Sequence, residues 1–319
     1  MAAAISSTLK QRISESYYAN PRWFLARVAL ALGVLYILVF WRAFWTPDLL
    51  FFIFLLLFTL YGQGRQFLYK FGPFVLLLLS YDSLRGLAPY LNKNVHFTEM
   101  IDFDRWIGFG HLPTTVLQGW LYPGHITILD FYFYGLYMCH FVSPLIVGIV
   151  IWKLRPAYFN RYIAAFILLS YAAFVTYILF PAAPPWMAAE KGFIEPIHKI
   201  STNVWFALGV HDFPTIYKQF SPNLVAAVPS LHSAYPLLIV LFIGRAFGAK
   251  WGWIFSWYPI SIWIGVVYMG EHYLFDAVVG AAYAVTAYYV TNWLFNRYGV
   301  RARATHARIK ARFRKPVTA

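Results

Sequence analysis

The sequence predicts an all-helical, polytopic membrane protein with about eight transmembrane helices. Of its 319 residues 61% are hydrophobic and 12% charged, where soluble proteins hold ~45–50% and ~25%. Apolar runs approaching the ~20 residues that cross a bilayer recur at approximately 24–45, 48–61, 71–91, 129–152, 160–180, 230–249, 252–269 and 273–296. Aromatic residues make up 21% of the chain, as expected where rings anchor helices at bilayer interfaces. These observations exclude a water-soluble globule.

The first run follows basic residues, as a signal peptide does, but no small-residue cleavage site comes after it, and Trp41 and Trp45 read as an interfacial anchor. The second is short for a span. The third ends in Tyr81-Asp82-Ser83-Leu84-Arg85, and the fourth carries Cys139 and His140, read as packing or hydrogen-bonding between helices. The lone Cys139 excludes an internal disulfide. The connections 92–128 and 181–229 are longer than the ~12–15 residues of ordinary loops. The first contains Trp106, Leu117, Trp120 and Leu121 and the second is rich in Pro and aromatics, so both are expected to form short helices and turns over the membrane surface. The sixth run starts at Pro229-Ser230-Leu231-His232-Ser233, and the eighth follows Glu271-His272-Tyr273-Leu274-Phe275-Asp276.

With eight spans the termini share one face, which then carries 19 of the 26 basic residues and one acid, Glu15. By the positive-inside pattern that face is cytoplasmic. Both long connections and both His segments fall on the other, which is periplasmic, extracellular or lumenal. The net charge of +14 is thus a topological signal rather than a sign of nucleic acid. Residues 1–70 are expected to form a cytoplasmic segment with accessory spans, 71–296 a catalytic membrane domain, and 297–319 a basic cytoplasmic tail.

His272 and Asp276 are four apart, so on a helix they share a face and the carboxylate can hold the imidazole in one tautomer, making it a good nucleophile or base. Ser230 and His232 stand where a helix begins, and its unpaired N–H groups suit an anion such as phosphate. Each piece alone also has an ordinary structural use, as a cap or an intrahelical hydrogen bond. Together, at membrane helix ends on one face, they read as functional.

Pro-Ser-Leu-His-Ser, followed some forty residues later by His-Tyr-x-x-Asp, resembles the second and third signature motifs of the type 2 phosphatidic acid phosphatase (PAP2) superfamily. The blocks Pro181-Ala182-Ala183-Pro184-Pro185-Trp186, Ala227–Ser233 and Tyr268–Asp276 resemble its inositol phosphorylceramide synthase branch. The resemblance covers about residues 80 to 296. It implies a six-helix PAP2-like catalytic core. His272 would attack phosphorus, Asp276 orient it, and His232 serve the leaving group as acid and the acceptor as base.

The usual first motif, a lysine seven residues before Arg-Pro, is missing, and Val266 stands where the phosphatases usually carry an arginine. Phosphoryl transfer relies on positive groups around the phosphate, so Ser230 and Arg85 are the phosphate-binding candidates; Arg85 could equally be a snorkelling side chain paired with Asp82. Tyr81, Asp82, Trp186 and Tyr273 are supporting or headgroup candidates. Asp102, Asp104, Arg105, His111, Lys191, Lys199 and Lys218 read as solvated surface. No cluster has metal-ligand spacing, and no cofactor, nucleic acid or protein partner is implied.

The expectation is a metal-independent lipid phosphotransferase that moves a headgroup phosphate, phosphoinositol in the resembled branch, from a glycerophospholipid to a lipid alcohol through a phosphohistidine. Membrane lipids are then donor and acceptor. The alternatives are a lipid phosphate phosphatase using water, and a lipid or proton-coupled transporter using the same histidines as a relay.

Overall fold

In the computed structural model, residues 47–212 and 223–312 are described, with a few isolated positions between 21 and 33. Apart from those isolated positions, the expected first span, 24–45, lies outside the described residues, as does Lys218. Thirteen helices make up the described part: α1 (Pro47–Leu60), α2 (Gly64–Arg85), α3 (Ala88–Leu91), α4 (Thr98–Ile107), α5 (Pro113–Leu121), α6 (Ile128–Leu154), α7 (Pro156–Leu179), α8 (Pro185–Glu190), α9 (Ile200–Ala207), α10 (Leu231–Phe247), α11 (Ala249–Phe255), α12 (Trp257–Tyr268) and α13 (Leu274–Arg312).

Among the described residues three stretches are long and apolar enough to cross a membrane: Gly64–Leu91, Pro156–Leu179 and Leu274–Tyr298. A fourth is added if Ile128–His140 and Val142–Leu154, the two parts of the broken α6, form one span. At ~1.5 Å per residue the 14-residue α1 reaches only ~21 Å, short of the ~30 Å hydrocarbon core. The expected span 252–269 is two helices that meet at Ser256. The helix expected from 71 begins instead at Gly64; Gly64, Arg65 and Lys70 lower the hydropathy of its first turns without stopping the helix.

The described residues group into two units. The smaller holds residues up to Ser80 with 141–146, and the larger Tyr81–His140 and everything from Val147 onward. In the smaller unit Phe51, Phe58 and Phe71 each stack on the buried Phe67. In the larger unit α10 is the centre, packed against α7, α11, α12 and α13.

Two connections of the larger unit form short helices and turns, as expected. Pro113 and Pro185 open α5 and α8, where a missing N–H costs nothing. The backbone at His96, Ala182 and Ala226 pairs side by side, with His96 N–H donating to Pro181 (2.8 Å) and Ala182 N–H to Val225 (2.8 Å). Met100, Ile101, Leu112, Ala188, Val228 and Tyr273 close into one apolar cluster above it. This ladder delivers the chain to Ser230 and the start of α10.

Candidate active site

Two helix starts meet at the site. Ser230 is the N-cap of α10: its hydroxyl oxygen accepts from Ser233 N–H (3.3 Å) and Ser233 Oγ (3.2 Å), and its own N–H donates to the Asp276 carbonyl (3.1 Å). On the other side, α12 ends in a turn at Gly270, whose φ of +74° suits only glycine and where a Cβ would stand 3.1 Å from the His198 carbonyl. That turn releases Glu271 and His272 just before α13. Gln118 holds the turn, its amide donating to the carbonyls of His198 (2.7 Å) and Tyr268 (2.9 Å) and accepting from His198 N–H (2.9 Å). Trp186 N–H donates to the Gly270 carbonyl at 3.2 Å.

His272 Nδ1 lies 3.1 Å from Asp276 Oδ2, which also accepts from Tyr273 N–H at 2.9 Å. His272 Nε2 lies 3.1 Å from His232 Nδ1. An ionised carboxylate only accepts, so His272 carries its proton on Nδ1 and its lone pair on Nε2. It follows that His232 donates from Nδ1. The resting order is carboxylate, His272, His232, with each proton directed toward Asp276, and the expected trio is thus brought together.

Arg85 pairs with Asp82 (2.8 Å), and its charge is also within electrostatic reach of His232 and His140. Tyr81 donates to the Tyr177 hydroxyl, which donates in turn to the Pro229 carbonyl (2.9 Å). Tyr273 is buried in the apolar cluster. Trp186 has its ring 3.9 Å from Lys199 Nζ.

Two readings of the sequence are corrected. Asp104 is not solvated but fully buried, and its two oxygens accept from Leu274 N–H and Phe275 N–H, both at 2.9 Å. It thus caps the helix that carries Asp276. Lys199 is largely covered, its side chain 19% exposed, with Nζ 4.0 Å from the buried Glu271, which also accepts from Ser201. Burial lowers the Lys199 ammonium below its usual range. His140 packs between helices as expected, its ring centroid 4.0 Å from that of His232, while its Nδ1 lies 2.8 Å from the Tyr137 carbonyl of its own helix. Asp102, His111 and Lys191 are exposed as expected.

Burial raises the Asp104 carboxyl to about 6, against the two backbone N–H groups that lower it. The unfolded chain releases that proton near ~3.9. Between these values the folded protein holds a proton that the unfolded chain lacks, so rising pH destabilises the fold across that window and has no further effect above it. Melting midpoints in detergent should therefore fall for wild type relative to Asp104→Asn between pH 4 and 6, and run parallel above. A constant difference throughout would contradict the assignment.

Residues 98–290 match the sequence profile of the PAP2 superfamily. The chain belongs to that superfamily. This PAP2 protein is 29% identical over 263 residues to the phosphoinositol dihydroceramide synthase of Bacteroides thetaiotaomicron, across 78% of this chain and 82% of that one. It is 26% identical over 204 residues to the inositol phosphorylceramide synthase of Candida albicans, covering 59% of this chain and 41% of that protein. No solved structure matches the chain. As a PAP2 protein with synthases among its relatives, it is an integral-membrane enzyme of the phosphatase and phosphotransferase type.

Proposed function

We propose that the enzyme transfers phosphoinositol from a glycerophospholipid to a ceramide-type lipid alcohol through a phosphohistidine at His272. The observation that carries this reading is the Asp276–His272–His232 chain at two helix starts, together with two relatives named as inositol-phosphate sphingolipid synthases. His272 Nε2 attacks phosphorus, the P–O bond to diacylglycerol breaks, and His232 gives the departing alkoxide a proton. The acceptor hydroxyl then returns a proton to His232 and displaces His272 from phosphorus. Splitting one displacement into two lets donor and acceptor be chosen separately.

The anion would rest at the start of α10, against the first-turn N–H groups and the Ser230 hydroxyl, with Arg85 adding charge. A phosphodiester brings one negative charge where a phosphomonoester brings nearly two, which suits a site without the usual cationic clamp. Since the attack is by an imidazole, activity is expected to survive a strong chelator. The test is incubation of purified protein with phosphatidylinositol labelled in its headgroup, with and without ceramide. Label moving into a new lipid, with diacylglycerol released, supports transfer. Label released into water in both cases makes the enzyme a phosphatase, and no reaction favours transport.

The orientation that accompanies this reading has both termini cytoplasmic and the site on the other face, from the distribution of basic residues. In a Cys139→Ser background, cysteines at Lys93 and Lys191 should react with an impermeant thiol reagent on intact cells, and one at Arg297 should not. Equal labelling at all three would overturn the orientation.

A further inference from the structure

The two short helices α4 and α5 each have an inner and an outer face. Inward they offer polar anchors to the catalytic turn: the Asp104 carboxylate accepts from the first two N–H groups of α13, and the Gln118 amide donates to the carbonyls of His198 and Tyr268. Two residues on from each anchor, about 200° round the helix, stand Trp106 and Trp120, which are 75% and 77% exposed. Both helices thus turn a tryptophan away from the site.

The corner between them is built against local preference. α4 closes at Gly108, and Gly110 N–H donates back to the Arg105 carbonyl at 2.7 Å. The left-handed position of such a closure is ordinarily glycine. Here it is Phe109, with a φ of +54°, although glycines stand on both sides of it. A bulky residue seldom takes that conformation, and Phe109 is 95% exposed, so packing within the chain offsets neither the strain nor the exposure. An outlier of this kind points to a use.

The depth of the corner follows from α13. Leu274–Tyr298 is long and apolar enough to cross a membrane, and its 25 residues reach ~37 Å against a hydrocarbon core of ~30 Å. Its ends therefore stand at the interfaces, and Asp104 is bonded to its beginning. With 10 and 9 residues, α4 and α5 are too short to cross, and the exposed Asp102 keeps α4 out of the hydrocarbon. Tryptophan favours this depth.

We infer that the α4–α5 corner is a lipid-contacting wedge: Phe109, Trp106 and Trp120 enter the leaflet on the active-site side and, through Asp104 and Gln118, hold the catalytic turn at the level of the lipid phosphates. Its partner is the boundary between acyl chains and headgroups of a glycerophospholipid leaflet.

The test begins with full-length Phe109→Cys in a Cys139→Ser background, labelled with a nitroxide and reconstituted into phosphatidylcholine vesicles. In electron paramagnetic resonance the label should collide more with oxygen than with a water-soluble nickel chelate. The opposite order would put the corner in water, and shielding from both would put it against protein, a second copy included; either result overturns the inference. Its effect on turnover rests on the proposed phosphoinositol transfer, whereas label depth does not, so the two can fail separately. Phe109→Gly suits the turn, so its melting midpoint in detergent should not fall. Burial of one phenyl ring shifts an equilibrium by about tenfold or more, so Phe109→Gly should lose about 10-fold in kcat/KM on phosphatidylinositol in vesicles. It should change little on a short-chain donor dissolved in water. Equal losses on both donors, or none on the vesicle donor, would overturn the inference. Wild-type protein that cleaves neither donor would overturn the proposed reaction and leave the depth measurement to decide the wedge.

Discussion

His272→Ala is expected to reduce donor cleavage to background, because it removes the lone pair that forms the new bond to phosphorus. Asp276→Asn should leave a small residue of turnover. The ring remains, but the amide can present its NH2 to Nδ1 and favour the wrong tautomer; the same change in a serine-protease triad costs about 10⁴ in rate. Enzyme quenched during turnover of labelled donor should carry an acid-labile, base-stable phosphoramidate at position 272. Label on a different residue, or undiminished turnover in His272→Ala, would sink the mechanism while leaving the family membership untouched.

Gly280→Ala should also be severe, though Gly280 carries no functional group. The added Cβ would stand 2.4 Å from the Ser230 carbonyl oxygen and 3.2 Å from its carbon. Those are backbone atoms, and Ser230 cannot yield without breaking its hydrogen bond to the Asp276 carbonyl. The starts of α10 and α13 would part, and His232 would leave the 3.1 Å contact with His272. Misplacing reacting groups by about 1 Å can cost ~10² in rate, so a loss of that order is expected with helix content by circular dichroism unchanged. Near-normal activity in Gly280→Ala would show that the two helix starts can separate without harm.

What could be read from the sequence was what is local in it. The four-residue spacing of His272 and Asp276 and the serine before α10 are contained within a turn or two of helix, so their geometry follows from helical pitch. Most apolar runs likewise returned as helices within a few residues of their expected ends. Asp104 was misread because its partners lie 170 and 171 residues away, and nothing in an acid flanked by Phe103 and Arg105 announces them. Lys199 and Glu271 were hidden for the same reason. His140, deep in an apolar run, returned as it was read, packed against a neighbouring helix. The break beside it was signalled by Pro144 inside α6, which has no N–H to continue the ladder.

The hydrogen bond between His232 and His272 also bears on unwanted reactions under the proposed mechanism. A nucleophilic imidazole in an idle enzyme is open to any stray acylating or alkylating agent. Here the lone pair of His272 Nε2 is occupied by the Nδ1–H of His232 and becomes available only when something is inserted between the rings. On the proposed mechanism that lone pair is held by the Nδ1–H of His232 in the empty site and by phosphorus in the intermediate, so it is seldom exposed to a stray reagent.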